Sequence, residues 1–343
     1  MKNSRSNPLS FDYPSLYLLV ALAAGYSSHA LADNGREFQG QIGGKSASAA
    51  TQAAITGSIS SLGATGVFRF RLSDSGEQTM PTLAEEKGTL RGLAASGDSD
   101  SPWTLWATPV LSNVSNRIAP ATSEGTVNIL LLGLEHNQDD ELIRGVVLAL
   151  DRADLDTPYN SGKVKGNGYT IAPYLAMPFA ESWLLDASVG FGKMDLKTNV
   201  NNITASPEDD RRLASVGVSN SFITKTKWLV SSKAGYSYST DTVGSYTDSF
   251  PSTTAASKTT LSQLKIGVQA TYTASKVKPF VAAYQFFNDF SVSGGSTTQP
   301  REYSTTPQLQ LGISPSSGPL YASVVAQVER GRSAVRAYVG YRY

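Results

Sequence analysis

This 343-residue chain has two histidines and no cysteine, and that limits the chemistry it can do. Without cysteine there is no thiol catalysis, no Cys-ligated zinc and no disulfide framework. No G-x-S-x-G motif is present, so the nucleophile elbow of the hydrolases is missing. Gly40-Gln-Ile-Gly-Gly-Lys-Ser46 resembles a phosphate-binding loop, but it is one residue short between its glycines and follows no buried strand. His136 stands alone beside a turn, where a histidine reads as a surface residue rather than a base or ligand. Asp139-Asp140-Glu141 and Glu208-Asp209-Asp210 are acidic clusters that read as solvated loop charge before weak calcium sites. Gly166, Gly168, Gly190 and Gly192 make no dinucleotide fingerprint and read as lumen-facing strand glycines that a plug could approach. No catalytic, cofactor or metal site is therefore expected, and an enzyme is not expected.

Composition narrows the class. The 29 basic and 28 acidic residues leave a formal net charge of +1, without the basic excess of a nucleic-acid binder. Charged residues are 17% of the chain, against about 25% in soluble domains. No run of about 20 apolar residues could make a spanning helix. Low charge, with 16 Tyr and 30 Gly, fits a transmembrane β-barrel.

The elements follow from pattern. Lys2 and Arg5, an apolar core at 16–24 and a small-residue site at Ala30-Leu31-Ala32 have the order of a secretory signal. Cleavage there leaves 311 residues starting at Asp33. Residues 33–102 are rich in Ala, Gly and Ser. Two stretches could be helical: 46–62, small and polar, and 82–95, which opens on the capping box Thr82-x-x-Glu85. Gly88 and Gly92 would keep that second helix slim. Residues 67–72 alternate as a strand does.

From Trp103 on, period-two runs are separated by turn-forming clusters. Twelve cores fall near 103–110, 127–135, 144–151, 169–177, 183–192, 213–222, 228–238, 261–272, 278–287, 306–314, 320–329 and 334–343. The expected fold is all-β, a twelve-stranded antiparallel transmembrane barrel. The connections alternate between long and short, as external loops and periplasmic turns do. The connection at 330–333 is the exception, short where a long one is expected. One face of each strand is almost free of charge. Glu135, Asp186, Lys233, Lys265, Glu329 and Arg336 lie on the other face, which a wet or plugged lumen accommodates and a dry core does not. Trp183, Trp228, Tyr272 and Tyr343 sit near strand ends, where aromatic girdles belong.

The last strand carries the sharpest local signal: Val335, Ala337, Val339, Tyr341 and Tyr343 share one face and end on an aromatic residue. It resembles the C-terminal signature of bacterial outer-membrane barrels. Residues 103–343 as a whole resemble the autotransporter β-domain of type V secretion. Gly133-Leu134-Glu135 resembles the end of its second strand, 166–192 its fourth and fifth strands with their tight turn, and 277–286 its "PF" strand. The resemblance implies a Gram-negative outer-membrane location, a helix in the lumen before strand one and a passenger ahead of that helix. The implied partners are outer-membrane lipid, the barrel-assembly machinery that reads the last strand, and periplasmic chaperones. A monomeric barrel without a cofactor is implied.

The expected organisation is a signal at 1–32, a short passenger remnant or linker at 33–81, a pore helix and linker at 82–102, and the barrel at 103–343. About fifty residues hold neither a repeat array nor an enzyme domain. The family's Asn-Asn cleavage pair has no counterpart in 82–95, since the one Asn-Asn is Asn201-Asn202. The function expected is a translocator carrying a very short passenger to the surface. The alternatives are a plugged or open pore, a structural barrel without export, or an adhesin acting through its loops at 152–168, 193–211 and 239–259.

Overall fold

The computed structural model describes residues 41, 46–47, 49–58, 103–118, 121–138, 142–180, 182–275, 277–295, 301–317 and 320–342. The proposed signal and 82–95 lie outside these residues.

Twelve long strands form the wall: β1 Trp103–Ile118, β2 Ala121–Gln138, β3 Leu142–Thr157, β4 Gly162–Ala180, β5 Trp183–Val200 and β6 Glu208–Ile223. Then follow β7 Trp228–Val243, β8 Ser257–Tyr272, β9 Val277–Gly294, β10 Glu302–Ser317, β11 Leu320–Glu329 and β12 Arg332–Arg342. Each pairs antiparallel with its neighbours in sequence. β1 closes the barrel on β12, from Thr104↔Arg342 to Val114↔Arg332. Closure leaves no open edge, the condition for a sheet to sit in lipid. The ladder between β1 and β12 is interrupted beside Pro109, which has no N–H to donate.

The outward faces are apolar because lipid is their solvent. On β5 this face reads Trp183, Val189, Phe191, then turns to Lys193, Asp195 and Lys197. From Trp183 to Phe191 a tilted strand rises about 20 Å, which side chains extend to the ~25 Å apolar band of such barrels. Trp103, Trp183 and Trp228 ring the short-turn end, with Trp228 against Tyr272 at 5.3 Å. Tyr169, Phe191, Tyr238 and Phe287 are exposed on the outer face towards the opposite end.

The connections differ from the expected loops. Segments expected as long polar loops, 112–125 and 152–168, are mostly strand: β1 ends at Ile118 and β2 opens at Ala121, and β3 and β4 are joined across a 3₁₀ turn at Pro158–Asn160. Apolar alternation stops where lipid stops, but strand pairing continues above it. Glu208-Asp209-Asp210 likewise opens β6 rather than lying in a loop. A true loop remains at 244–256, which holds a two-residue hairpin pairing Tyr246–Thr247 with Thr253–Thr254. Just before β10 Arg301 pairs with Asp289, and this hydrogen bond holds its guanidinium above its ordinary value.

Candidate functional site: the occupied lumen

The inward faces alternate with the lipid faces and carry the polar groups. Small and aromatic residues share the wall in cross-strand pairs: Trp106 lies over Gly133, Tyr174 over Gly145, Tyr284 over Gly267 and Phe280 over Gly312. Without a Cβ opposite, each ring lies flat on its neighbour strand and leaves the axis of the lumen free. Near the short-turn end the Tyr174 hydroxyl donates to Glu135 Oε2 at 3.0 Å, and the Trp106 indole N–H reaches that hydroxyl at 3.4 Å. Trp106 also stacks on Tyr338 at 5.6 Å. His136 is outside this network, edge-on to Trp103 at 4.6 Å.

Further charges line the middle of the lumen. Asp186 and Lys233 are buried on the inner faces of β5 and β7. The Lys265 ammonium lies 4.0 Å from the centroid of the Tyr284 ring, a cation–π contact. Arg336 donates to Gln310 Oε1 at 3.2 Å, Gln310 to Gln308 at 2.6 Å, and Gln308 to Glu329 at 2.6 Å. Glu329 in turn pairs with Arg332. The result is a polar ladder up β10–β12 from mid-lumen to the long-connection end. Of the six charges singled out from sequence, Glu135, Asp186 and Lys233 are buried, and Lys265, Glu329 and Arg336 are half-buried.

Near the long-connection end Arg211 forms a buried hub that sequence reasoning missed. Its guanidinium donates to both oxygens of Asp151 at 3.2 and 3.0 Å and to Asp241 at 3.2 Å, and lies 3.9 Å from Asp209. Arg211 and Asp151 have fully buried side chains. The link spans from β6 to β3, over β5 and β4. Gly168 makes that reach possible: it pairs with Asp151, and a Cβ there would meet the Asp151 carboxylate at 3.1 Å. Around Gly166 and Gly190 the space is filled by Met194, Leu196 and Leu213 of the wall. These glycines thus make room for the barrel's own side chains rather than for a plug.

A helix occupies the lumen, and it comes from the first helical stretch, 46–62. Residues 46–47 and 49–58 are helical, and Ala47, Ala50, Ala54 and Ile55 pack in one apolar cluster with wall residues such as Trp106, Val127, Leu131 and Leu213. Ala49, Ala53 and Gly57, spaced four apart, form the less buried stripe. Ala49 and Ala53 border a cavity of about 770 Å³ shared with Ser115, Phe290, Glu302 and Arg332. Gly57 sits against the Arg336 guanidinium, deeper in the barrel. The helix therefore runs from the long-connection mouth inwards and leans on the β1–β6 side of the wall. Gln41 and Ser46, from the phosphate-loop-like stretch, are buried helical residues. Among the described residues, no group of three His, Asp or Glu side chains is placed to hold a metal.

A closed twelve-strand barrel holding a helix that precedes strand one defines an outer-membrane translocator, and the comparisons agree. Residues 105–341 match the autotransporter beta-domain, and the chain belongs to that family. The translocator domain of the autotransporter NalP from Neisseria meningitidis is similar in fold: TM-score 0.60, 12% identity, over 72% of this chain and 90% of that one. The beta domain of the Bordetella autotransporter BrkA superposes with TM-score 0.54 at 19% identity, over 71% of this chain and 100% of that one. The transport unit of the autotransporter AIDA-I from Escherichia coli gives 0.53 at 12%, over 83% and 98%. No curated protein matches the chain.

Proposed function

We propose that this outer-membrane barrel displays a very short N-terminal segment at the cell surface, with the 46–58 helix as the strut that holds it. The observation that carries this reading is the direction of the helix. Ala49 and Ala53 lie beside Ser115 and the Glu329–Arg332 turn at the long-connection mouth, and Gly57 lies deeper, beside Arg336. Long connections face outward in such barrels, so the residues before the helix leave at the outer surface. After signal cleavage between Ala32 and Asp33, residues 33–40 precede Gln41, the first helical residue among those described. In this reading periplasmic chaperones deliver the chain and the assembly machinery reads Val335, Ala337, Val339, Tyr341 and Tyr343. The first four alternate along β12, and Val335, Val339 and Tyr341 are exposed on its outer face; Tyr343 lies outside the described residues. The barrel works as a monomer in lipid, without a cofactor.

An epitope tag placed after Asp33 tests the reading. Protease added to intact cells should remove it. Removal only after permeabilisation would leave a barrel without export. The 770 Å³ cavity beside the helix favours one second reading, a narrow residual pore.

A further inference from the structure

The outer surface of β3–β6 carries a row of bases at the height where lipid tails give way to headgroups. Arg152 on β3, Lys193 on β5 and Arg212 on β6 are each the first charged residue met on leaving the apolar band. Pairing fixes their relation. Arg152 is opposite Asn167, and Asn167 is opposite Asp195, two residues above Lys193; Lys193 is opposite Asp210, two residues above Arg212. Over the three sideways steps from β3 to β6 the path drops four residues in all, which offsets the stagger of the tilted strands and keeps the three bases at about one level. The outward-facing acidic residues of these strands, Asp154, Asp156, Asp195, Asp210 and Glu208, all stand further out. Asp154 and Asp156 are engaged by Lys165 and Lys163 at 3.6 and 3.0 Å. Lys193 makes one exposed contact, with Asp210 at 3.5 Å, while neither Arg152 nor Arg212 has an ion pair among the described residues. On either side the row ends on uncharged partners, Asn128 opposite Arg152 and Thr240 opposite Arg212.

Directly below lies a groove. Ala187, Val189, Ala214, Val216, Tyr236 and Tyr238 are among the residues that line a lipid-facing depression of about 420 Å³ across β4–β7. Ala214 is the next outward residue below Arg212. Its floor is lowest at Ala187 and Ala214, and its side is raised by two tyrosines.

We propose that this surface is a binding site for a phosphorylated, multi-acyl glycolipid of the outer leaflet, with phosphates on Arg152, Lys193 and Arg212 and an acyl chain in the groove. The inference rests on the outward orientation of the long connections given above. Bases at a headgroup level attract anionic lipid, and three of them spread over four strands match two separated phosphates better than one. A groove continuous with the row selects a tethered chain over free phosphate.

The test uses the full chain purified in mild detergent from outer membranes, with co-purifying lipid identified by native mass spectrometry. The unmodified protein should retain diphosphorylated glycolipid. The triple variant R152Q/K193Q/R212Q should bind added lipid A on the order of 100-fold more weakly. The variant K163Q/K165Q/K197Q, altered further out, should bind normally. Ala187→Trp and Ala214→Trp should reduce retention with the basic row intact, a second route if the triple variant folds poorly. Unchanged binding by the triple variant, equal affinity for phosphatidylglycerol, or displacement by inorganic phosphate would overturn the proposal. Any of these results in a heat-modifiable barrel recovered from the outer membrane leaves the translocator reading standing. Tag cleavage only in permeabilised cells would instead remove the orientation on which both depend.

Discussion

Taking away the Arg211 guanidinium leaves Asp151, Asp209 and Asp241 buried together without a cation. Breaking a buried pair from one side costs about 3–5 kcal/mol. Arg211→Met should therefore lower the urea midpoint of the detergent-solubilised barrel far more than Lys163→Met, whose pair with Asp156 is exposed. Equal shifts would show that the hub does not hold the wall. The Trp106–Gly133 pair makes a second residue-scale prediction. Gly133→Leu displaces the indole and should cost about 1–3 kcal/mol by overpacking, with a changed tryptophan emission; an unaltered spectrum would contradict the packing described. Much of this interior was legible in the sequence. Period-two alternation put Glu135, Asp186, Lys233, Lys265, Glu329 and Arg336 on one face, because lipid tolerates no charge on the other. The hub was not legible. Asp209 and Arg211 lie two apart, which places them on one face, but the run around them is polar on both faces and reads as a loop.

At the scale of elements, the helix is the part that decides function. Its faces differ: Ala54 is buried against the wall, while Ala53 borders the cavity. Ala54→Trp has no room and should dislodge the helix, raising conductance in planar bilayers. Ala53→Trp should fill the cavity and lower it. The same response from both variants would mean that the helix is not seated on this face. Two stretches before the barrel could be helical, and the capping box at Thr82 drew attention to 82–95, next to strand one. The stretch 82–95 lies outside the described residues; for the helix seen in the lumen, the legible signal is the small-residue spacing Ala49, Ala53, Gly57 with Ala47, Ala50 and Ala54, because a lumen lined by rings admits a slim helix. The strands were legible in their cores and short at their outer ends. Lipid imposes the alternation, and hairpins such as β3–β4 continue beyond it on cross-strand pairs of charge, Lys163 with Asp156 and Lys165 with Asp154.

At the scale of the molecule, the wall supplies two solvents' worth of surface. Outside it offers an apolar band and inside a polar lumen, and one helix from the same chain fills part of that lumen. The closed sheet follows from the need to satisfy every backbone hydrogen bond in lipid. The family could be read from spaced features of that sheet, whereas the distance between the lumen helix and β1, residues 59–102, had no counterpart in the pattern. The central claim is that the 46–58 helix stands in the lumen with its earlier residues at the outer mouth. Because the chain has no cysteine, the pair Ala53→Cys and Ser304→Cys, which line the same cavity, supplies the sole thiols. A short bismaleimide added to intact cells should join them and shift the denatured protein's mobility on a gel, with neither single variant shifting. Two freely labelled, unjoined thiols in a folded outer-membrane barrel would place the helix elsewhere and contradict the account.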